Sequence, residues 1–392
     1  ATVSRGDDGP PPATTPAGEP AAVTTTAPAP TAEPTPVKAI LFPRAADGRA
    51  DVRGFSFGFV ADRARRVHGV QLAIGWAQTD QELVALQLAA GANLVQGSFE
   101  GAQLAAGANM VRGQGRGLQL VGGANVVDGD FRGVQVAGGA DVTTGSMVGV
   151  QLAGGAGVVE QGRGLQVAGG INLAKTFTGM QLAPFNYAES LHGLQLGVVN
   201  AAGESHGFRF GVVNIARHDD GESFALINLI GNGIHDLSLF ASDVMVTNVG
   251  LKLGGRHLYT NLIAGYQPGD ALAAGPERFT AGTKRFATGA GIGWRFPVQR
   301  GPLAYAELEA DWLQVRPAWR WTDDAPSMGS LRAQAGFALA PHLVLLAGAG
   351  VNVAVATDGR DLDLGRSVPQ SVNHSGATTV RIYPGLLLGL QI

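Results

Sequence analysis

Along residues 54–235 apolar and polar positions alternate with period two, and the alternation restarts at a fixed interval. RGLQLVGGANVVDGDF, residues 116–131, is followed at once by RGVQVAGGADVTTGSM, residues 132–147. In the first unit Leu118, Leu120, Gly122, Ala124 and Val126 share one face, and Gln119, Val121, Gly123 and Asn125 share the other. Period two is the side-chain repeat of a strand, so each unit reads as a strand with one apolar face and one small, neutral-polar face. The polar residue between two apolar ones marks the step. Gln71, Gln87, Gln103, Gln119, Gln135 and Gln151 lie 16 apart, Gln166 and Gln181 follow at 15, and Gln195 at 14. Ser56 extends the series by 15 on one side and Arg209 by 14 on the other. Charges such as Arg112, Arg116, Asp128, Asp130, Arg132, Glu160 and Arg163 collect in the joints, with Asp141 an exception inside a strand.

The last third loses the repeat and keeps the alternation in longer strands. In TKRFATGAGIGWRF, Phe286, Ala290, Ile292, Trp294 and Phe296 oppose Arg285, Gly289, Gly291, Gly293 and Arg295; in LAYAELEADWLQ, Leu308, Ala310 and Trp312 oppose Glu307, Glu309 and Asp311. Charges at every second place opposite an apolar face are expected of a barrel with a watery inside and lipid outside. Short joints (PVQRG, APH) alternate with long polar ones (316–327 and 357–376), and the final VRIYPGLLLGLQI places Val380, Ile382, Leu386, Leu388, Leu390 and Ile392 on one face, as a closing strand would.

These patterns divide the chain into a disordered Pro/Thr/Ala-rich linker (1–36), a transition segment (37–53), a repeat region of about twelve strand units (54–235) and C-terminal barrel strands (236–392). Roughly ten uncharged residues per unit match the 9–11 that a tilted strand needs to cross a bilayer. The expected fold is therefore all-β: one large antiparallel transmembrane barrel of about twenty strands, built partly from 14–16-residue repeats. The alternative is a parallel β-solenoid with one unit per coil, followed by a separate eight-stranded barrel. In that arrangement Gly122 and Gly123 form one corner, the DGD joint the other, Leu118 and Leu120 stack inside, and Asn125 and its equivalents form a ladder. The constant step and the shortage of aromatics favour the solenoid. The uncharged second face, the single charged corner and the direct passage through GLKLGG (250–255) favour the barrel.

Composition agrees with a Gly-rich β protein: 392 residues with 59 glycines, 45% hydrophobic and only 15% charged. A formal charge of −3, with no basic aromatic-interleaved patch, sets nucleic acid aside as a partner. The absence of cysteine removes disulfides and thiolate metal sites. No apolar run reaches the ~18 residues of a transmembrane helix, which leaves the barrel as the spanning solution. The start at Ala1 fits a chain exported with a cleaved signal peptide.

At GLQLGVVNAAGESHGFRFGVVNIA (193–216) and residues 226–270 the chain resembles a bacterial surface-repeat family, found in leptospires and myxobacteria among others, with iterated Gly-Leu-Gln-Leu-Gly-Val-Val-Asn units and a strand-rich C-terminal region. The resemblance implies a surface protein and no particular activity. The chain departs from it in the Gly-Gly-Ala-Asn of the 16-residue units and in ending at Ile392, where barrel strands commonly end in an aromatic.

The candidate site residues follow from the faces. The nine glutamines of the series, with Arg285, Arg295, Glu307, Glu309, Asp311, Arg332 and Arg381, are expected to line a lumen, where solutes or ions could pass. The bland readings are glutamines that satisfy one another and an interior plugged by ion pairs. Trp294, Trp312, Trp319 and Trp321 are expected interface anchors. Glu307 and Glu309 are neighbours on one strand with nothing to separate their roles as acid and base, and no GxSxG, HExxH or phosphate loop occurs. His218, Asp219 and Asp220, like His235, read as solvated turns. The expectation is a porin-like or structural outer-membrane protein of the cell surface, with lipid as partner, no catalysis and no cofactor; the alternative is a displayed, adhesin-like solenoid on a small barrel anchor.

Overall fold

The computed structural model describes residues 36–40, 51–268, 284–316, 326–357 and 369–392. The expected N-terminal linker, apart from Pro36, and residues 41–50 of the transition segment lie outside these residues, as do Trp319 and Trp321. The described chain is all-β, and no helix in it is long and apolar enough to cross a membrane.

Each repeat folds in two at a corner of small residues, a glycine pair in the units of Gly122, Gly138, Gly154 and Gly169. Gly115–Val121 runs to the corner Gly122–Gly123, Ala124–Asp128 runs back, and Phe131–Ala137 begins the next coil. Neighbouring coils pair in parallel, Gln119 opposite Gln135 and Asn125 opposite Asn109. A Cβ on Gly122 or Gly123 would come within 2.5 or 2.2 Å of the carbonyl oxygen one coil earlier, so these two corner positions are held by glycine. The result is a solenoid of about twelve coils from Asp51 to Ile230, roughly 50 Å long at the inter-strand spacing of a sheet.

The repeats are therefore not antiparallel strands of one barrel of about twenty. Period two is common to both arrangements. Neighbouring units, however, pair in parallel and not antiparallel, and in the earlier coils the corner divides the apolar stretch into strands as short as Ala92–Val95 and Ser98–Ala105. The expected packing inside the solenoid is also reversed. Leu118 and Leu120 are 37% and 41% exposed, whereas Gln119 and Asn125 are wholly buried. The apolar core sits in the other half of each coil, toward the charged corners, where Val67, Leu83, Phe99, Val127, Phe131 and Phe177 stack.

One glycine column has φ between +127° and +144° in Gly117, Gly133, Gly149, Gly164, Gly179 and Gly193. Ala85 occupies the same column, between Gly69 and Gly101, at φ +110°. An L side chain is disfavoured in that region by about 1–2 kcal/mol. Ala85→Gly is expected to raise the solenoid's thermal midpoint, with a stabilisation of about 1 kcal/mol after the added unfolded-state entropy of glycine is offset; a lowered midpoint would refute the strain.

The chain then enters eight antiparallel strands: Ile234–Ser242, Thr247–Gly254, Leu258–Gln267, Arg285–Arg300, Leu303–Arg316, Ser327–Ala340, Leu343–Thr357 and Thr378–Gln391. The last pairs with the first, Ser238 opposite Gln391, and closes a barrel. Solenoid and barrel share a contact: the Glu222–Ile230 strand lies against Thr247–Gly254 and Leu258–Gln267. Thr260 on the outer wall donates to the Ala225 carbonyl, the Asn228 amide reaches the Leu253 carbonyl at 3.4 Å, and Glu222 binds His257 Nδ1 at 2.6 Å and the Leu258 N–H at 3.0 Å.

Candidate functional site

The barrel interior is polar and paired. Lys252, 2% exposed, donates to Glu307 Oε2 at 2.6 Å and lies 3.2 Å from Glu309 Oε1. Arg295 joins Glu307 to Asp236, with 2.6 Å to Asp236, and stacks 4.0 Å above the Tyr305 ring. Arg332 bridges Asp311 and Glu309. Glu309 also accepts from Tyr259 Oη at 3.0 Å and Asn261 Nδ2 at 3.1 Å, and Gln391 donates to Asp236 at 2.8 Å. Gly293 and Gly336 leave the space that the Tyr259 and Tyr305 rings occupy, since a Cβ there would lie 2.2 and 2.4 Å from ring carbons. Eight strands enclose only as much space as their side chains fill. A cavity beside Asp243, Ser330 and Asn352 measures about 10 Å³, room for at most one water molecule.

Of the expected lumen residues, Arg295, Glu307, Glu309, Asp311 and Arg332 come together here. Arg285 is buried in the barrel, and half-buried Arg381 donates to Gln370 at 3.3 Å. The partners that sequence alone did not single out are Asp236, Lys252, Tyr259, Asn261 and Tyr305. Lys252 carried a visible signal, a lone charge between the apolar Leu251 and Leu253 of GLKLGG.

The outer wall is apolar. Leu308, Trp312, Leu331, Leu386 and Leu388 are each more than half exposed. Trp294 stacks on His257 at the short-turn end, with ring centroids 5.5 Å apart. Trp312 lies toward the opposite end, where Tyr266 and Phe286 contact each other at 5.1 Å. The two tryptophans thus stand near opposite ends of the barrel wall.

The nine glutamines line no barrel lumen. Gln71, Gln87, Gln103, Gln119, Gln135, Gln151, Gln166, Gln181 and Gln195 form one ladder inside the solenoid, each Nε2 donating to the preceding Oε1 at 2.7 to 3.0 Å. An amide carries both donor and acceptor, so a stack of identical residues satisfies itself. A second ladder of asparagines runs beside it, Asn93 to Asn109 to Asn125 and Asn172 to Asn186 to Asn200 to Asn214 to Asn228. Between these runs stand Asp141, which accepts from Asn125 at 2.7 Å, and Gly157. Asp141 Oδ2 has no hydrogen-bond partner.

Burial pushes the Asp141 carboxyl up to about 6, against a smaller opposing effect of the Asn125 hydrogen bond. The folded chain thus holds this proton more tightly than the unfolded chain does. Stability is full below the ordinary carboxylate pKa, falls as pH rises from about 4 through about 6, and stays low above. Asp141→Asn restores the ladder chemistry and is expected to remove that slope, stabilising the solenoid by about 1–3 kcal/mol near pH 7 with little change near pH 4. Unfolding midpoints at the two pH values decide it, and a variant that keeps the wild-type slope would contradict the assignment.

The glutamine ladder ends toward the barrel in Arg209, fully buried and paired with Asp219. Arg209 Nη1 also donates to the Ile215 carbonyl at 2.8 Å, and Ser223 donates to Asp219 at 2.7 Å. The expected solvated cluster is therefore split. Asp219 turns inward, while His218 and Asp220 stay exposed 3.2 Å apart. His235 Nε2 accepts from the Ile230 N–H at 3.4 Å. Among the described residues no group of three or more His, Asp or Glu could hold a metal ion.

Comparison with known proteins finds no matching family model, no matching curated protein and no matching solved structure. The resemblance drawn from residues 193–216 and 226–270 rests on those residues alone.

Proposed function

We propose that this chain is a bacterial outer-membrane protein whose eight-stranded barrel spans the bilayer as a closed anchor and holds a non-catalytic repeat scaffold at the membrane. The observation that carries the reading is the polarity of the barrel wall. Leucine and tryptophan face outward, while ion-paired Lys252, Arg295, Arg332, Glu307, Glu309 and Asp311 fill the inside. Buried charges in a water-soluble barrel would sit behind a polar exterior; here the arrangement is the one that lipid selects. Trp294 and Trp312 near the two ends support the same reading, as interfacial belts do.

The filled interior favours an anchor over a pore. Outer-membrane barrels keep short turns on the periplasmic side. Gly301–Pro302 and Pro341–His342 are such turns, and Ile392 ends the chain at the same end through its backbone pairing with Leu237. The solenoid's charged edge lies at this end too, through Glu222 and His257. We therefore assign that edge to the periplasmic side, in place of display at the cell surface.

Refolding the full chain into lipid vesicles tests the anchor. It is expected to float with the vesicles after a carbonate wash and to give no stepwise conductance in planar bilayers. Release by carbonate would overturn the membrane reading, and solute-size-dependent conductance would restore the porin one.

A further inference from the structure

We infer that the glycine-corner half of the solenoid lies within the hydrocarbon of one bilayer leaflet, beside the barrel, and that its partner is lipid acyl chains. The inference rests on the anchor reading and extends it to the repeats.

Polarity is the first observation. From Leu86 to Ile215 the outward positions of the glycine-corner half carry no charge: Leu86, Leu88, Ala92 and Leu94 in one coil, Leu118, Leu120, Ala124 and Val126 in another, Met180, Leu182, Phe185 and Tyr187 in a third. The inside of this half is the Gln and Asn ladders. A coil in water buries its leucines and exposes its amides; this half does the opposite, as the barrel does. The charged-corner half is conventional, with an apolar core and Arg116, Asp128, Asp130, Arg132, Glu160 and Lys175 outside.

Position is the second. The last coil packs sideways on the barrel wall with Glu222, the lone charge on its outward strand face, at the His257 turn and its corner residue Ala225 further up the wall at Thr260. The apolar corners therefore point toward mid-membrane and the charged corners lie at the rim, so the solenoid's apolar belt continues that of the barrel. The third is depth. The four steps from Leu118 to Gly122 rise about 13 Å, a little under half of the ~30 Å hydrocarbon core. The belt reaches into one leaflet and does not cross.

The first coils add a shallow apolar groove of about 680 Å³ along the corners, lined by Phe57, Leu72, Ile74, Leu88, Leu104 and Leu120. It runs across successive coils and its lining is apolar.

The chain has no cysteine, so single cysteines can be labelled with an environment-sensitive fluorophore in the full-length protein, refolded into phosphatidylcholine and phosphatidylglycerol vesicles. Probes at Leu120→Cys and Leu152→Cys are expected to lose most of their emission to lipids brominated along the acyl chains. Probes at Asp130→Cys and Glu160→Cys are expected to keep theirs and to be quenched by aqueous iodide. Leu308→Cys on the barrel wall is the internal reference. If Leu308 is quenched by brominated chains and the two belt positions respond to iodide instead, the belt is not in lipid and the inference fails while the anchor stands. If the belt positions are shielded from both quenchers and cross-link between chains, a second copy covers the belt and the inference fails. An unquenched Leu308 overturns the anchor reading and this one with it.

Discussion

Replacing Arg209 with methionine is expected to destabilise the folded chain by about 3–5 kcal/mol, because a buried carboxylate is left without its cation. Arg209 and Asp219 are both fully buried. Asp219 has other partners, the Ser223 hydroxyl and the Gly221 N–H at 3.0 Å, but each is a neutral dipole. The consequence reaches beyond one coil. The Asp219 backbone N–H and carbonyl are both held by the Asn232 side chain, in the loop that enters the barrel. The double variant Arg209→Met with Asp219→Asn is expected to recover most of the loss, since no unpaired charge then remains buried. Urea unfolding in detergent micelles, followed by intrinsic fluorescence, measures both. A single variant within about 1 kcal/mol of wild type would contradict the account.

Lys252→Met is expected to have an effect of the same size in the barrel. The ammonium sits between Glu307 and Glu309, two carboxylates on the same face of one strand, and without it their repulsion is uncompensated on that side. Arg295 still holds Glu307, and Arg332 still reaches Glu309 at 3.3 Å, so the loss is expected to be partial in extent and severe in energy, about 3–5 kcal/mol. Its readout is the fraction of chain that refolds into micelles as a compact, heat-modifiable species on a gel. Glu309→Gln in the same chain is expected to restore part of that fraction. Equal refolding of Lys252→Met and wild type would show that the interior charges are not coupled in this way.

The faces of the strands were legible in the sequence and the direction of their neighbours was not. Alternation placed Leu118 and Leu120 together and opposite Gln119, and the folded chain keeps them so. Alternation is local, however, and a parallel coil and an antiparallel barrel strand both have it. What decides between them is the corner, and GG inside RGLQLVGGANVVDGDF reads equally as part of a strand or as a turn. The inside-out packing of the solenoid was missed for a second reason. A rule that buries leucine overlooks that a stack of identical amides satisfies its own hydrogen bonds, and so it gave the wrong inner face at Leu118 while the amide ladder of Gln119 took the interior.

In the barrel the acidic stripe Glu307, Glu309 and Asp311 was readable because each residue interrupts an apolar run. Arg295 and Arg332 were readable beside it on the same alternation, whereas Lys252, Tyr259, Asn261 and Asp236 were not, because they come from strands far away in the chain. Lys252 is separated from Glu307 by 55 residues and Asp236 from Arg295 by 59, distances over which no sequence period operates. The same holds for Asp219. Its turn looked solvated because the residue that buries it, Arg209, seemed only to continue the glutamine series.

The most direct test of the account is a spin-label accessibility scan along Leu303–Arg316 in the full-length protein refolded into lipid bilayers. Labels at Ala306, Leu308, Ala310 and Trp312 are expected to collide freely with oxygen dissolved in the hydrocarbon and hardly at all with a water-soluble nickel chelate. Labels at Glu307, Glu309 and Asp311 are expected to be shielded from both, giving a period-two oscillation across the strand. High nickel accessibility at Leu308 and Trp312 would place the barrel's apolar wall in water and contradict the membrane anchor.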